Sequence, residues 1–152
     1  MARPKPRKWI PKNPSKYVGD PREIVARSSW EARAMQWFDM NPSVIKWNSE
    51  GLVIPYYSQA DQKMRRYFVD FVVQIKNRAG ELKIYAIEVK PEKETLPPPP
   101  SRNRKQMLES VTTYQVNQDK WKTAREFCHS KGMEFLVMTE YDLGIKKRQN
   151  GN

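Results

Sequence analysis

Cysteine and histidine occur once each, as Cys128 and His129. A single cysteine excludes an internal disulfide framework and a Cys-cluster zinc site. One histidine excludes the paired-His metal motifs and argues against a His-based catalytic triad. No apolar run approaches ~18 residues, so no transmembrane helix is expected. Residues 1–20 hold no apolar stretch of the kind a secretory leader needs, and none is expected. Acids are also scarce: 17 Asp and Glu stand against 28 Lys and Arg, a formal net charge of +11 over 152 residues. That excess favours a polyanionic partner, nucleic acid ahead of an anionic membrane. The length fits one domain, and 38% hydrophobic residues allow it a modest core.

Residues 1–18 carry six basic residues (Arg3, Lys5, Arg7, Lys8, Lys12, Lys16), four prolines and no acid. Proline blocks helix and like charges keep the segment extended, which predicts a basic arm that orders against a partner, lying along a neighbouring protein or back across its own domain. Trp9, Ile10 and Tyr17 suit docking better than solvation. Asp20-Pro21 is a helix start, with Asp as N-cap and Pro in the first turn, and Asn41-Pro42 is its stop. Leu52–Tyr57 reads as a first strand, residues 58–65 as a turn, and Tyr67–Ile75 as a second strand. Asn77-Arg78-Ala79-Gly80 is turn chemistry, and Leu82–Lys90 is a third strand ended by Pro91. The run Pro97–Pro100 is a stiff spacer. A helix from about Arg102 or Asn103 to Ser130 places Tyr114, Trp121, Ala124, Phe127 and Cys128 on one face. Lys131-Gly132 stops it, and Glu134–Met138 is a fourth strand. Residues 139–144 read as a capped turn or a short helix, and the basic end 146–152 as a loose tail. The long helix before the last strand implies a crossover to a parallel neighbour. The expected class is therefore α/β, a mixed four-stranded sheet with flanking helices in the order αβββαβ. The expected division is an arm at 1–18, a domain at 19–145 and a tail at 146–152.

Three charges sit inside the apolar strands. Asp70 lies between Val69 and Phe71, Glu88 between Ile87 and Val89, and Lys90 follows two residues on. Strand interiors disfavour such residues, so they need a reason. With a three-residue turn centred on Ala79, paired positions sum to 158, and Asp70 falls opposite Glu88 with Lys90 on the same face. A two-residue turn would place the acids on opposite faces. Facing carboxylates repel, and a hard divalent cation such as magnesium relieves that repulsion. Such a cation suits phosphodiester hydrolysis, with Lys90 orienting water or stabilising phosphate charge. Glu31 lies beside an apolar helix stripe, one turn after Arg27. It either pairs with Arg27 or completes the metal shell. Asn117 shares the stripe of Tyr114 and Trp121, and a buried amide there needs partners. Lys120, Lys122 and Arg125 suit a phosphate-facing side, and Gln115 is placed to face DNA.

Val69-Asp70 with Glu88-Val89-Lys90 resembles the PD-(D/E)xK nuclease motif, with Val69 in the usual proline position. The surrounding segments carry more of the resemblance: Arg27-Ser28-Ser29-Trp30-Glu31, Arg66-Tyr67-Phe68-Val69-Asp70-Phe71, Ile87-Glu88-Val89-Lys90-Pro91, Tyr114 to Trp121 and Phe135 to Glu140. Over residues 12 to 145 they resemble the head-completion nucleases of T-even-like tailed phages. The same core with a helical Glu is similar to the endonuclease subunit of Tn7-type transposases. The resemblance implies a restriction-endonuclease-like core and a magnesium-dependent DNA endonuclease, with manganese as a substitute. It implies Glu31, Asp70, Glu88 and Lys90 as catalytic, with Asp70, Glu88 and Glu31 at the metal. Arg27, Gln115, Lys120 and Lys122 are the candidate DNA contacts. Double-stranded DNA and phage portal or neck proteins are the implied partners, with no membrane. The implied place is the head–tail neck of the virion, reached from the host cytoplasm during assembly. A neck protein that plugs DNA on a nuclease fold without cutting, and a transposon-type nuclease subunit, are the alternatives.

Overall fold

The computed structural model describes residues 5–148. The N-terminal segment is extended, as its prolines require, and of the two placements open to it, it takes the one back across its own domain. Arg7–Lys8 (β1) pairs antiparallel with Val25–Ala26 (β2). Trp9 and Tyr17 set their rings edge-on against Trp47, with centroids 5.8 and 4.8 Å away. The backbone N–H groups of Lys12 and Asn13 donate to the buried carboxylate of Asp39 at 2.9 and 3.0 Å. Aromatic burial, at roughly 25 cal/mol per Å², offsets the entropy of ordering the arm.

The first helix begins later than Asp20. The Asp20 side chain does accept from the Arg22 backbone N–H, but the turn it caps is a single 3₁₀ turn, Pro21–Glu23. The chain then extends into β2, and α1 spans Ser29–Met40. Its cap is Ser28, whose Oγ accepts from the Glu31 N–H at 3.1 Å. Two capping residues compete here, and the pairing of Val25–Ala26 with the arm decides for the second. Asn41 ends the helix where the sequence places the stop.

The strands also run longer than their apolar patterns. β3 spans Val44–Ser58 and β4 Lys63–Lys76, so the turn between them is confined to 59–62. The polar run Asn48–Gly51 hides the first half of β3, because it is a bulge in the strand. β5 covers Leu82–Val89 and β6 covers Glu134–Met138. The sheet order is β3-β4-β5-β6, with β6 parallel to β5 and the other pairs antiparallel. α2 spans Arg104–Ser130, capped by Asn103, and Gly132 at φ +72° closes it.

Each sheet face carries its own core. Phe38 of α1 packs with Trp47, Phe71, Val73 and Ile87. Trp121, Ala124 and Cys128 of α2 pack with Tyr67, Val69 and Ala86. Neighbours Ala86 and Ile87 of β5 fall in different clusters, as the two-residue period demands. The C-terminal residues to 148 are held, contrary to a loose tail. The Arg148 guanidinium sits 4.1 Å from the Tyr141 ring centroid and bonds Glu92 at 2.9 Å. Residues 149–152 lie outside the described residues.

Candidate active site

The β4–β5 hairpin sets the site. Gly80 takes φ +83° and its N–H returns to the Asn77 carbonyl at 3.0 Å, which fixes the turn. The ladder pairs Phe71 with Ile87, Val72 with Ala86 and Val73 with Tyr85. Continuing that register by one step puts Asp70 opposite Glu88, as the even-sum turn predicts.

On its other edge, β4 meets the bulge. Ser49 pairs with Phe71 and Leu52 with Val69, so Glu50 and Gly51 together oppose Asp70. Glu50 adopts φ +56°. Tyr67 and Val69 pack on the α2 side, whereas Phe71 and Val73 pack on the α1 side. The odd-numbered residues of β4 thus change sides at Asp70. The extra residue of the bulge belongs to β3, so the acid that it re-aims is Glu50.

Asp70 and Glu88 are 8% and 6% exposed, so neither is well hydrated. The Val89 N–H donates to Asp70 Oδ2 at 2.9 Å, and the Tyr67 hydroxyl donates to Glu88 Oε2. Burial, with the facing Glu88 charge and a carboxyl–carboxyl hydrogen bond, raises the Asp70 carboxyl to about 7. Burial and the Glu88 charge also raise the Tyr67 phenol, so it stays a donor.

Arg27 gathers the acids. Its guanidinium reaches Glu31 Oε1 at 3.4 Å, Glu50 Oε1 at 2.5 Å and Asp70 Oδ1 at 3.2 Å. Burial works against its charge, but the three carboxylates outweigh that and raise its pKa. Burial raises the Glu31 carboxyl, the Asp70 charge adds to this, and Arg27 opposes it. Of the two sequence readings of Glu31, the pairing with Arg27 is the one seen here, and the same guanidinium ties Glu31 to Asp70. Among the described residues, no three His, Cys, Asp or Glu side chains gather closely enough to hold a metal ion. The acids that face each other directly are Asp70 and Glu88. As a hard oxygen donor set in mutual repulsion, that pair fits a divalent cation.

Lys120 is the residue whose position the sequence undersold. Its ammonium lies 5.5 Å from the Tyr67 ring centroid, within the fields of Glu88, Lys90 and Asp70. Burial lowers its pKa and Lys90 lowers it further, while Glu88 and Asp70 raise it. Its spacing from Asn117 and Trp121 already put it at the edge of the buried stripe. Lys122 and Arg125 are both exposed, but Arg125 lines a cavity between α2 and β6 with Trp121, Phe135 and Leu136. The Gln115 amide donates to Asp119 Oδ1 at 3.0 Å, joining the Gln59 backbone and side chain in a clasp around that acid. Tyr67 and Glu50 were missed as parts of the site. Tyr67 reads as an ordinary strand aromatic, and Glu50 is recruited only by the bulge.

A mixed sheet flanked by helices, with paired acids on a central hairpin and a lysine two residues beyond, defines an endonuclease of the restriction-endonuclease-like class. Residues 41–140 match the family described as TnsA-like endonuclease N terminal. That match takes in Asp70, Glu88, Lys90 and Lys120 and leaves Glu31 outside it. The chain belongs to this family. It is also similar to the head completion nuclease of Enterobacteria phage T4, with 43% identity over 138 residues, 88% of this chain and 89% of that protein.

Proposed function

We propose that the chain is a metal-dependent DNA endonuclease acting in phage head completion. The observation that carries this reading is the buried Asp70–Glu88 pair with Lys90 and Lys120 beside it. The likeness to the T4 protein supports the assembly role, and the net positive charge supports a DNA substrate. In this reading double-stranded DNA and portal or neck proteins are the partners, and the head–tail neck is the place of action. Among the described residues no helix is long and apolar enough to cross a membrane.

Asp70 and Glu88 would hold magnesium, or manganese in its place. A bound cation supplies Lewis acidity at a phosphoryl oxygen and a water of lowered pKa. The protein's own groups do the rest. The Val89 N–H and the Tyr67 hydroxyl fix the orientation of the two carboxylates. Lys90 and Lys120 present ammonium charge to the phosphate, where charge grows during cleavage. Glu31, which shares the Arg27 guanidinium with Asp70, would be the third acid of the site.

The test is conversion of supercoiled plasmid by wild type, Asp70→Ala and Glu88→Ala, with magnesium or with chelator. Both variants are expected to lose roughly 10²–10³-fold or more in rate while keeping their fold. Magnesium alone should raise the melting temperature of wild type and leave that of Asp70→Ala unchanged. Wild-type cleavage by both variants overturns the assignment.

A further inference from the structure

A cavity of about 550 Å³ opens between residues 93–99 and the N-terminal half of α2. Its volume lies within the range of pockets that hold small organic ligands, ~300–1,000 Å³. One of its lining residues is Asn117, only 4% exposed. The Asn117 amide nitrogen has no hydrogen-bond partner among the described residues. A buried donor left without an acceptor is costly, so it calls for one supplied from outside.

The cavity is close to the acidic site along the chain. Its wall begins at Lys93, just past Lys90 on the same chain, and Asn117 lies one helical turn before Lys120. Leu96 and Pro98-Pro99 give the loop side a stiff apolar wall, and Tyr114 adds an aromatic ring from the helix. Glu94 and Glu109 outnumber Lys93, which disfavours a phosphate there. The fitting ligand is flat, uncharged and edged with hydrogen-bond acceptors, which describes a nucleobase.

We propose that this cavity receives one unpaired nucleobase from the strand beside the cut, so that the protein engages DNA ends, forks and junctions in preference to uninterrupted duplex. The proposal rests on the endonuclease reading and names the substrate class of that site.

The experiment is fluorescence anisotropy in chelator, with a blunt duplex and a forked duplex bearing a short unpaired thymidine arm. Wild type should bind the fork about tenfold more tightly, the value of one stacked base. Asn117→Leu and Tyr114→Leu should each bring the fork level with the blunt duplex and leave blunt binding unchanged. Asn117→Leu should also melt no lower than wild type, because its amide has no protein partner to lose. Equal binding of fork and blunt duplex by wild type overturns the proposal. So does a fork preference that survives Asn117→Leu, or a lowered melting temperature in that variant, which would reveal a structural partner for the amide. Failure of wild type to bind either DNA sinks the endonuclease reading as well. Tight, equal binding of both sinks the cavity alone.

Discussion

At the arm, the Asp39 carboxylate accepts two backbone N–H groups, from Lys12 and Asn13. At the hairpin, Asp70 accepts one backbone N–H, shares Arg27 with two other acids, and faces a second carboxylate. Both acids are buried. Asp119, held by Gln59 and Gln115, belongs with Asp39. A buried acid ringed by donors does structural work and pins two segments together. A buried acid set against another acid does not help the fold, and that cost points to chemistry.

The widest separation between the two kinds of acid should appear with pH, in chelator. Asp70 has its carboxyl raised from 3.8 to about 7 in the fold. Its contribution to stability is therefore fully present below the unfolded value and is lost as pH rises through about 7. At ~1.36 kcal/mol per pH unit the amplitude is at most about 4 kcal/mol. Urea midpoints of wild type should fall relative to Asp70→Asn between pH 4 and 8, and the variant should be the more stable protein at pH 8. Parallel profiles for the two proteins would erase the distinction from Asp39.

Asp39→Ala should act in the opposite sense. It strands two backbone donors and should cost about 2–4 kcal/mol in urea unfolding. Cleavage per folded molecule should stay at the wild-type level. An unchanged midpoint would show that the arm is not held through this acid.

The smallest effect separates two lysines of α2. Lys120→Met should slow cleavage roughly tenfold at low salt, because its charge sits inside the acidic site. Lys122→Met should leave the low-salt rate alone and make DNA binding less sensitive to salt. Identical behaviour of the two variants would return Lys120 to the outer surface.

Much of this was legible from the residues alone. The element order and the turn at Asn77–Gly80 follow from local rules. So does the facing of Asp70 and Glu88, because the length of one turn decides it. The start of α1 was not legible, since Asp20 and Ser28 are both good caps and a tertiary pairing chooses between them. Nor was the first half of β3, where a bulge breaks the alternation that marks a strand. The full reach of Arg27 was hidden for the same reason. Its pairing with Glu31 is a helix-spacing rule, but its reach to Glu50 and Asp70 exists only once the bulge has formed. Tyr67 and Lys120 carried weak signals, an aromatic in a strand and a lysine at the rim of a buried stripe.

The fastening of the arm has a consequence for long-range electrostatics. Asp39 reads the backbone of Lys12 and Asn13, and Trp47 reads the rings of Trp9 and Tyr17, while Lys16 is the basic side chain spent on the fastening, donating to the Asp39 and Asn41 carbonyls. Lys5, Arg7, Lys8 and Lys12 stay exposed and form no salt bridge among the described residues. A floppy cationic tail loses chain freedom each time it meets a polyanion. Here that freedom is already gone at folding, and the charges stand as a fixed strip whose field has one orientation relative to the domain.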